Sequence, residues 1–275
     1  MRLSTVWAAY FSPTGTTRAV VTTVAARLGE LCGATLQSYD FTLPEHRAKA
    51  PSFSQGDLVI VGTPVYAGRV PNLLLPFVST LEGGGALAVP LVLFGNRSFD
   101  DALMELRNTL TQGGFCPVAG AAFVGEHSFG KTLGAGRPDE GDLALARSFA
   151  EGIYEKLSSL SDSAALSPVF VKGNDPVRPY YRPTDEQGNF IDIRKVKPIT
   201  SEACIHCGYC AKSCPMGSIS SEDVSQIPGI CIKCNACVKG CPVGAKFFTD
   251  PNYLYHRDDL VRRFTTPRKE PELFL

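Results

Sequence analysis

Eight of the ten cysteines of this 275-residue chain lie close together, and their spacing is regular. Two runs have the form C-x2-C-x2-C-x3-C, and a proline follows each run. The first run is Cys204, Cys207, Cys210 and Cys214, and the second is Cys231, Cys234, Cys237 and Cys241. Other matching pairs are Ile205 and Ile232, Lys212 and Lys239, and Gly217 and Gly244. The common distance of 27 residues predicts an internal duplication of one thiolate-rich unit.

This spacing is that of the cysteine runs that hold four-iron cubane clusters in bacterial iron–sulfur proteins. One short loop reaches only three corners of a cubane, so the fourth thiolate comes from the other half of the repeat. The expected ligand sets are Cys204, Cys207, Cys210 and Cys241 for one cluster, and Cys231, Cys234, Cys237 and Cys214 for the other. The alternative is a zinc site, in which two C-x2-C pairs close on one ion. Two four-membered runs that each end in proline do not suit such a site.

Residues 198–250 resemble the two-cluster bacterial ferredoxins, because they carry this motif twice. The resemblance implies a small α+β domain with two [4Fe-4S] clusters. Lysines fall among the ligands, namely Lys212, Lys233, Lys239 and Lys246. They would offset the negative charge of bound clusters and raise the reduction potentials, unless they only form a solvated face.

The first 160 residues alternate apolar strand patterns with helical patterns, which predicts a doubly wound α/β domain with a five-stranded parallel sheet. The expected strands are Thr5–Phe11, Leu36–Phe41, Leu58–Thr63, Leu87–Phe94 and Cys116–Val124. One expected helix starts at Thr16. The others cover Pro71–Leu81, Asp101–Leu110 and Glu140–Leu160. Ligands of such sheets bind at the carboxyl ends of the strands.

Three loops at that edge carry candidate binding residues. The first joins a strand to a helix and contains Ser12, Thr14, Gly15, Thr16 and Thr17. Backbone N–H groups and hydroxyls at a helix N-terminus favour a phosphate, although an ordinary capped turn is the alternative. No lysine follows, so the loop does not have the pattern of a nucleoside triphosphate site.

The second and third loops each place an aromatic side chain at a strand end, where it would stack on a planar ring or simply pack. The second loop contains Thr63, Pro64, Val65, Tyr66 and Ala67. The third loop contains Gly95, Asn96, Arg97 and Phe99.

Over roughly residues 3–160, these loops resemble the phosphate loop and the two ring-binding loops of flavodoxins, which implies FMN. The isoalloxazine would then lie between the second and third loops, near Tyr66 and Phe99. Flavodoxins usually have an acidic third loop with a stacking tyrosine, whereas this chain has Asn96, Arg97 and Phe99. A nearby Arg97 would stabilise anionic reduced flavin.

A segment at 125–132 fits the pattern G-x-x-x-x-G-K-[ST] of a phosphate-binding loop. Gly134, Gly136 and Pro138 follow and disfavour the helix that such a loop requires. We therefore expect a long loop at the ligand edge that caps the flavin. His127 is interpreted as a surface residue, with a proton donor to reduced flavin as the alternative.

The chain divides into residues 1–162, a linker at 163–197, the cysteine-rich domain at 198–250 and a tail at 251–275 that docks on the body. Gly188 and Asn189 predict a hairpin turn in the linker, and an extended tether is the alternative. Cys32 and Cys116 are predicted to be buried thiols.

Composition limits the possible functions. Lys plus Arg and Asp plus Glu both number 27, which disfavours non-specific nucleic-acid binding. No apolar run is long enough for a membrane span, and no secretory signal pattern is present, so we expect a reducing, cytoplasmic compartment.

The two halves together resemble the flavodoxin–ferredoxin fusion proteins of anaerobic prokaryotes. The resemblance implies low-potential electron transfer with redox partner proteins. One alternative is a flavin-dependent reductase of a quinone or nitroaromatic acceptor. Another is an iron–sulfur-stabilised binding module that holds no FMN.

Overall fold

The computed structural model describes residues 3–159 and 167–275. Its strands are β1 (Thr5–Tyr10), β2 (Thr35–Asp40), β3 (Asp57–Pro64), β4 (Leu87–Phe94), β5 (Cys116–Pro117), β6 (Gly120–Val124), β7 (Ile199–Thr200), β8 (Lys246–Phe247) and β9 (Glu272–Phe274). Its helices are α1 (Thr16–Cys32), α2 (Leu75–Val78), α3 (Ala102–Gln112), α4 (Glu140–Ser159), α5 (Tyr209–Lys212), α6 (Ala236–Lys239) and α7 (Pro251–Phe264), with a 3-10 turn at Pro44–Arg47. The predicted helix end at Leu160 and the domain boundary at 162 lie outside the described residues.

The N-terminal domain is built on a sheet with the strand order β2-β1-β3-β4-β6-β9, and β5 pairs with β4 beside β6. The strands from β1 to β6 are parallel, with Thr5 opposite both Thr35 and Asp57. The predicted α/β class and parallel order are therefore confirmed. The carboxyl ends of β1, β3 and β4 meet at one edge, which brings the three predicted loops together.

Two apolar layers cover the faces of the sheet. Helices α1 and α4 bury one face, with Val20, Val24 and Leu28 fully buried on α1. Helices α2 and α3 bury the other face. Strands β3 and β4 are buried on both faces, which explains their nearly continuous apolar sequence. Among the described helices, none combines the length and apolarity needed to cross a membrane.

Two prolines explain where the predicted elements are too long. The helix expected over Pro71–Leu81 is reduced to the single turn α2, because Pro76 has no N–H and crowds the preceding turn. The strand expected over Cys116–Val124 is split into β5 and β6, because Pro117 cannot donate to the sheet.

The C-terminal segment packs against the N-terminal domain. Helix α7 has Pro251 in its first turn, and the Asp250 carboxylate accepts from the Tyr253 N–H at 3.0 Å. Strand β9 then pairs antiparallel with β6, so that Phe274 lies opposite Gly120. The sheet therefore gains an edge strand that no periodic pattern predicts.

The described part of the linker lies along the N-terminal domain. The Tyr181 N–H donates to the Ala67 carbonyl at 2.8 Å, and the Tyr180 hydroxyl donates to the Val70 carbonyl at 2.9 Å. In place of a full hairpin, a single bridge pairs Thr184 with Phe190. These contacts argue against an extended tether, because they hold the linker along the second loop.

The cysteine-rich domain repeats its backbone as well as its sequence. The short strands β7 and β8 pair antiparallel and close the domain, and the one-turn helices α5 and α6 each contain the third cysteine of their run. His206 and Lys233, at equivalent positions, both have positive φ, at 53° and 58°. Gly208 and Asn235 form a second such pair, at 72° and 59°.

Candidate functional site

Two hydrogen bonds of Ser12 fix the shape of the first loop. The Ser12 N–H donates to the Thr42 hydroxyl oxygen at 2.8 Å, and the Ser12 hydroxyl oxygen accepts from the Arg18 N–H at 2.9 Å. Gly15, with a φ of 89°, turns the chain into α1. Ser12 therefore shapes the loop and satisfies one of the free N–H groups at the start of the helix.

Unpaired donors surround this helix N-terminus. The hydroxyls of Thr14, Thr16 and Thr17 bond to none of the residues that the structure describes, and α1 has no acidic residue in its first turn. A Cβ atom built on Gly125 would lie 3.2 Å from the Thr16 hydroxyl oxygen, so the 125–138 loop begins directly beside it. The donors and the helix dipole together suit an anion such as a phosphate.

The second loop makes a tight turn against the third. Tyr66 and Arg69 exchange two backbone hydrogen bonds, of 2.9 and 3.1 Å, around Ala67 and Gly68. Both central residues have positive φ, and a Cβ on Gly68 would collide with the Asp100 carboxylate. Only glycine allows this approach, which fixes the position of Tyr66 beside the third loop.

One buried atom on the second loop lacks a partner. The Thr63 hydroxyl, at the end of β3, is fully buried and bonds to no described residue. An unsatisfied buried hydroxyl is costly, so this atom marks a polar contact still to be made at the edge where the loops meet.

Two side chains of the third loop are buried within the protein. Asn96 is 3% exposed and its amide is fully used, with donation to the Phe264 and Pro267 carbonyls and acceptance from the Lys269 N–H. Phe99 is 4% exposed and packs in the core, with its ring centroid 5.6 Å from that of Phe94. Both side chains therefore have contacts within the protein, and their contact with a flavin ring stays a prediction.

Arg97 is directed at the protein rather than at an open site. Its guanidinium forms an ion pair with Asp100 and lies 4.5 Å from the centre of the Tyr181 ring. Tyr181 in turn stacks on His256 of α7 at 6.2 Å. These two aromatic residues beside the loops were missed by the sequence analysis, although the Tyr180-Tyr181 pair in a polar linker was a possible signal.

The 125–138 loop packs on the C-terminal half of the chain. Phe129 contacts the rings of Tyr253 and His256, with centroids 4.9 and 5.9 Å away. Glu126 pairs with Lys239 of α6 at 2.6 Å, and the Lys239 ammonium also donates to the His127 carbonyl. The segment that resembles a nucleotide loop thus joins the two domains.

His127 is not the surface histidine expected from the sequence. Burial lowers the pKa of its imidazole to about 3, and the charges of His256, Lys239 and Arg97 act in the same direction. Its Nδ1 atom accepts from the Phe129 N–H at 3.1 Å, so the neutral ring carries its proton on Nε2. A neutral ring of this kind supplies a hydrogen-bond donor rather than an acidic proton.

A polar cavity beside the third loop is lined by several charged side chains. Lys172, Arg178 and Asp101 line it together with residues of the tail. Arg178 pairs with Asp101 and Lys172 with Glu272, both at 3.0 Å. The ammonium of Lys269, which also lines the cavity, donates only to the Arg97 carbonyl among the described residues.

The two cysteine runs enclose two separate cavities. The four cysteines around the first, which we call the outer set, are Cys204, Cys207, Cys210 and Cys241. Those around the second, the inner set, are Cys214, Cys231, Cys234 and Cys237. Each cavity thus combines three cysteines of one run with the last cysteine of the other run.

The thiols are prepared by their surroundings to hold positively charged metal. Burial raises the pKa of Cys234, and it raises the pKa of Cys237 to about 12, so the thiolates need positive charge beside them. Backbone N–H groups donate to sulfur in equivalent pairs: His206 to Cys204, Lys233 to Cys231, Ser218 to Cys214 and Ala245 to Cys241. Within residues 3–159 and 167–275, no three His, Cys, Asp or Glu side chains are placed to share one metal ion.

The two sets differ in their surroundings. Burial raises the pKa of the Tyr66 phenol well above its usual range, and the nearby Cys234 and Cys231 thiols add to this rise. Two thiols of the inner set are therefore within electrostatic range of the second loop. The outer set is exposed at Cys207, beside Ile205 (59% exposed) and Val243 (43% exposed).

Comparison with known proteins agrees with these two kinds of site. A model described as a flavodoxin domain matches residues 8–87, and a model described as a 4Fe-4S dicluster domain matches residues 186–246. The chain joins a flavodoxin domain to a 4Fe-4S dicluster domain. The two domains together support an electron-transfer role.

Solved structures similar to the flavodoxin domain share little sequence with it. The Streptococcus pneumonia TIGR4 flavodoxin is 20% identical, with 56% of this chain and 99% of that chain covered and a TM-score of 0.38. Oxidised Flavodoxin 2 from Bacillus cereus is 18% identical, with the same coverage and a TM-score of 0.40. An apo NADH:FMN oxidoreductase is 18% identical, with 60% and 95% covered and a TM-score of 0.40. None of the curated proteins matches the chain.

The residues present fit the cofactors that the two domains imply. In the flavodoxin domain, the free hydroxyls of Thr14, Thr16 and Thr17 suit the phosphate of FMN, and the orphaned Thr63 hydroxyl marks the end of the second loop. In the dicluster domain, each cavity is lined by four cysteine thiols. Both fits rest on hydroxyl and thiol groups that form no ion pair or side-chain hydrogen bond with another described side chain.

Proposed function

We propose that this protein transfers electrons between redox partner proteins and a bound FMN by way of two [4Fe-4S] clusters. The observation that carries the proposal is the arrangement of the cysteines: two cavities, each lined by a complete crossed set, with two thiols of the inner set within electrostatic range of Tyr66. When bound, the clusters exchange single electrons and FMN exchanges one or two.

The chain's own residues set the order of the sites. The outer set, with Cys207 exposed, faces solvent where a partner protein docks. The inner set holds its thiols between the outer set and the second loop of the flavodoxin domain. Three contacts keep this order, namely Glu126 with Lys239, Arg47 with the Pro215 carbonyl, and Phe129 with Tyr253.

In this proposal the flavodoxin domain holds FMN with the loops identified from the sequence, less the side chains of Asn96 and Phe99. Thr14, Thr16 and Thr17 donate to the phosphate, with Ser12 and Gly15 shaping the loop. The second loop supplies Pro64, Val65, Tyr66 and Ala67 to the ring, and the third supplies its backbone at Gly95 and Arg97. His127 packs on Gly95 and directs its own side chain to this region.

The covering of the loops supports a carrier over a reductase of small molecules. The linker binds Ala67 through Tyr181, and the 125–138 loop is fixed to α6 and α7. These contacts restrict the approach of a quinone or nitroaromatic to the ring loops. Stopped-flow oxidation of the reduced protein distinguishes the two functions, because a reductase shows saturable, rapid oxidation by one acceptor class and a carrier does not.

The proposal is tested by anaerobic stopped-flow reduction with a reduced bacterial ferredoxin as the donor and flavin absorbance as the signal. Cys231→Ala removes a thiol of the inner set, and Cys32→Ala is the control outside both runs. We expect flavin reduction in Cys231→Ala to be at least tenfold slower than in the wild type and in Cys32→Ala. Equal rates in protein shown to retain FMN would mean that electrons bypass the inner set.

A further inference from the structure

Lys246 is a buried cation within the dicluster domain. It is 2% exposed and lines the cavity of the outer set together with Cys204, Cys207, Cys210 and Cys241. Its ammonium donates to the Val224 carbonyl, and no carboxylate of the described ranges pairs with it. A buried ammonium with only a neutral acceptor is costly, and an anionic cluster held by these cysteines would supply its counter-charge.

The internal repeat provides a built-in comparison. Ile219 lies 27 residues before Lys246, at the same place in the first half, and it is 8% exposed in the lining of the inner cavity. The two sets therefore share thiols, N–H donors and fold, but only the outer set has a buried cation at this position. The two matched sites of the repeat therefore differ at this position by one buried positive charge.

The other lysines among the ligands do not remove this difference. Lys212 is exposed, and Lys239 is neutralised by Glu126. Lys233 is half-buried and its charge acts on Cys231 of the inner set. Its ammonium bonds to the Arg194 and Cys231 carbonyls, however, and does not line the inner cavity. Water and ions screen an exposed charge far more than one buried against its partner.

We propose that Lys246 sets the reduction potentials of the two clusters apart and holds the cluster of the outer set at the higher potential. The inference rests on the proposed function, in which both sets hold a cluster. Reduction adds one electron to a cluster, and a nearby positive charge favours the more negative state. Lys246 also reaches Cys237 electrostatically, so we expect the inner potential to move in the same direction but by less.

The test is an anaerobic redox titration of the holoprotein followed by EPR. Lys246→Met removes the charge, Lys246→Arg keeps it, and Lys212→Met is the matched control on an exposed lysine beside the same set. Cys214→Ala, which disables the inner set, assigns the outer signal. We expect Lys246→Met to shift the distribution of one electron between the clusters at least tenfold toward the inner cluster, which is about 59 mV. Lys246→Arg and Lys212→Met should resemble the wild type.

The outcomes separate this inference from the proposed function. Both clusters present with unchanged potentials in Lys246→Met would overturn the role of Lys246 and leave the proposed function intact. Iron for only one cluster in the wild type would overturn the proposed function itself. If Lys246→Met does not fold, Lys246→Gln carries the same expectation, because its amide can still donate to Val224 while bearing no charge.

Discussion

Replacing Thr14 and Thr16 by alanine should weaken the binding of FMN and leave the binding of riboflavin almost unchanged. The two hydroxyls flank Gly15 at the start of α1 and bond to no described residue, so the substitutions break no internal hydrogen bond. A hydrogen bond to a charged group contributes roughly 1.5–3 kcal/mol. Since about 1.4 kcal/mol is a tenfold change in Kd, each substitution should raise the Kd of FMN roughly 10- to 100-fold.

The assay is quenching of flavin fluorescence as apoprotein is added to FMN or to riboflavin. Riboflavin lacks the phosphate, so it reports damage to the ring site alone. Thr22→Ala is the matched control, because the Thr22 hydroxyl on the same helix donates to the Arg18 carbonyl at 2.8 Å and not toward the loop. Its FMN affinity should equal that of the wild type.

Two results would refute this reasoning. Unchanged FMN affinity in the double variant would place the phosphate elsewhere. An equal loss of affinity for FMN and riboflavin would show that the two hydroxyls support the ring site rather than the phosphate.

Two further predictions concern the core and the interface. Phe99→Ala should lower the free energy of unfolding by about 3–5 kcal/mol and leave FMN affinity unchanged, because Phe99 packs on Phe94. Urea unfolding and FMN titration measure the two quantities. Lost FMN affinity with unchanged stability would show that Phe99 binds the flavin ring. Burial lowers the pKa of His256 from 6.5 to about 4, so the unfolded chain takes up a proton at a higher pH than the folded chain does. The free energy of unfolding should therefore fall as the pH drops through this window, by up to about 1.4 kcal/mol per pH unit. His256→Gln should flatten this dependence in anaerobic urea unfolding, whereas exposed His46→Gln should not; an unchanged slope in His256→Gln would assign the effect to other groups.

The features that the sequence predicted correctly are those that neighbouring residues determine. The apolar run of β4 and the spacing of Val20, Val24 and Leu28 on α1 follow directly from strand and helix periodicity. The duplicated cysteine spacing likewise identifies the three thiols of each run that can bind one cluster. The breaks at Pro76 and Pro117 were missed, although proline lacks the N–H that a helix or sheet needs.

The roles of Asn96 and Phe99 depend on chain segments far away in sequence. Asn96 is occupied by Phe264, Pro267 and Lys269, which arrive only when the tail folds back to pair β9 with β6. Similarly, Tyr181 and His256 reach the ring loops from the linker and from α7. No local pattern encodes such contacts, so the resemblance to a free-standing flavodoxin gave no sign of them.

The crossed pairing of the cysteines is the central claim, and EPR of the reduced Cys241→Ala protein tests it most directly. Cys241 lies in the second run but lines the outer cavity with Cys204, Cys207 and Cys210. The account predicts that Cys241→Ala loses the outer cluster and keeps the inner one, and that Cys214→Ala does the reverse. Loss of the inner cluster alone in Cys241→Ala, with the outer signal intact, would contradict the account.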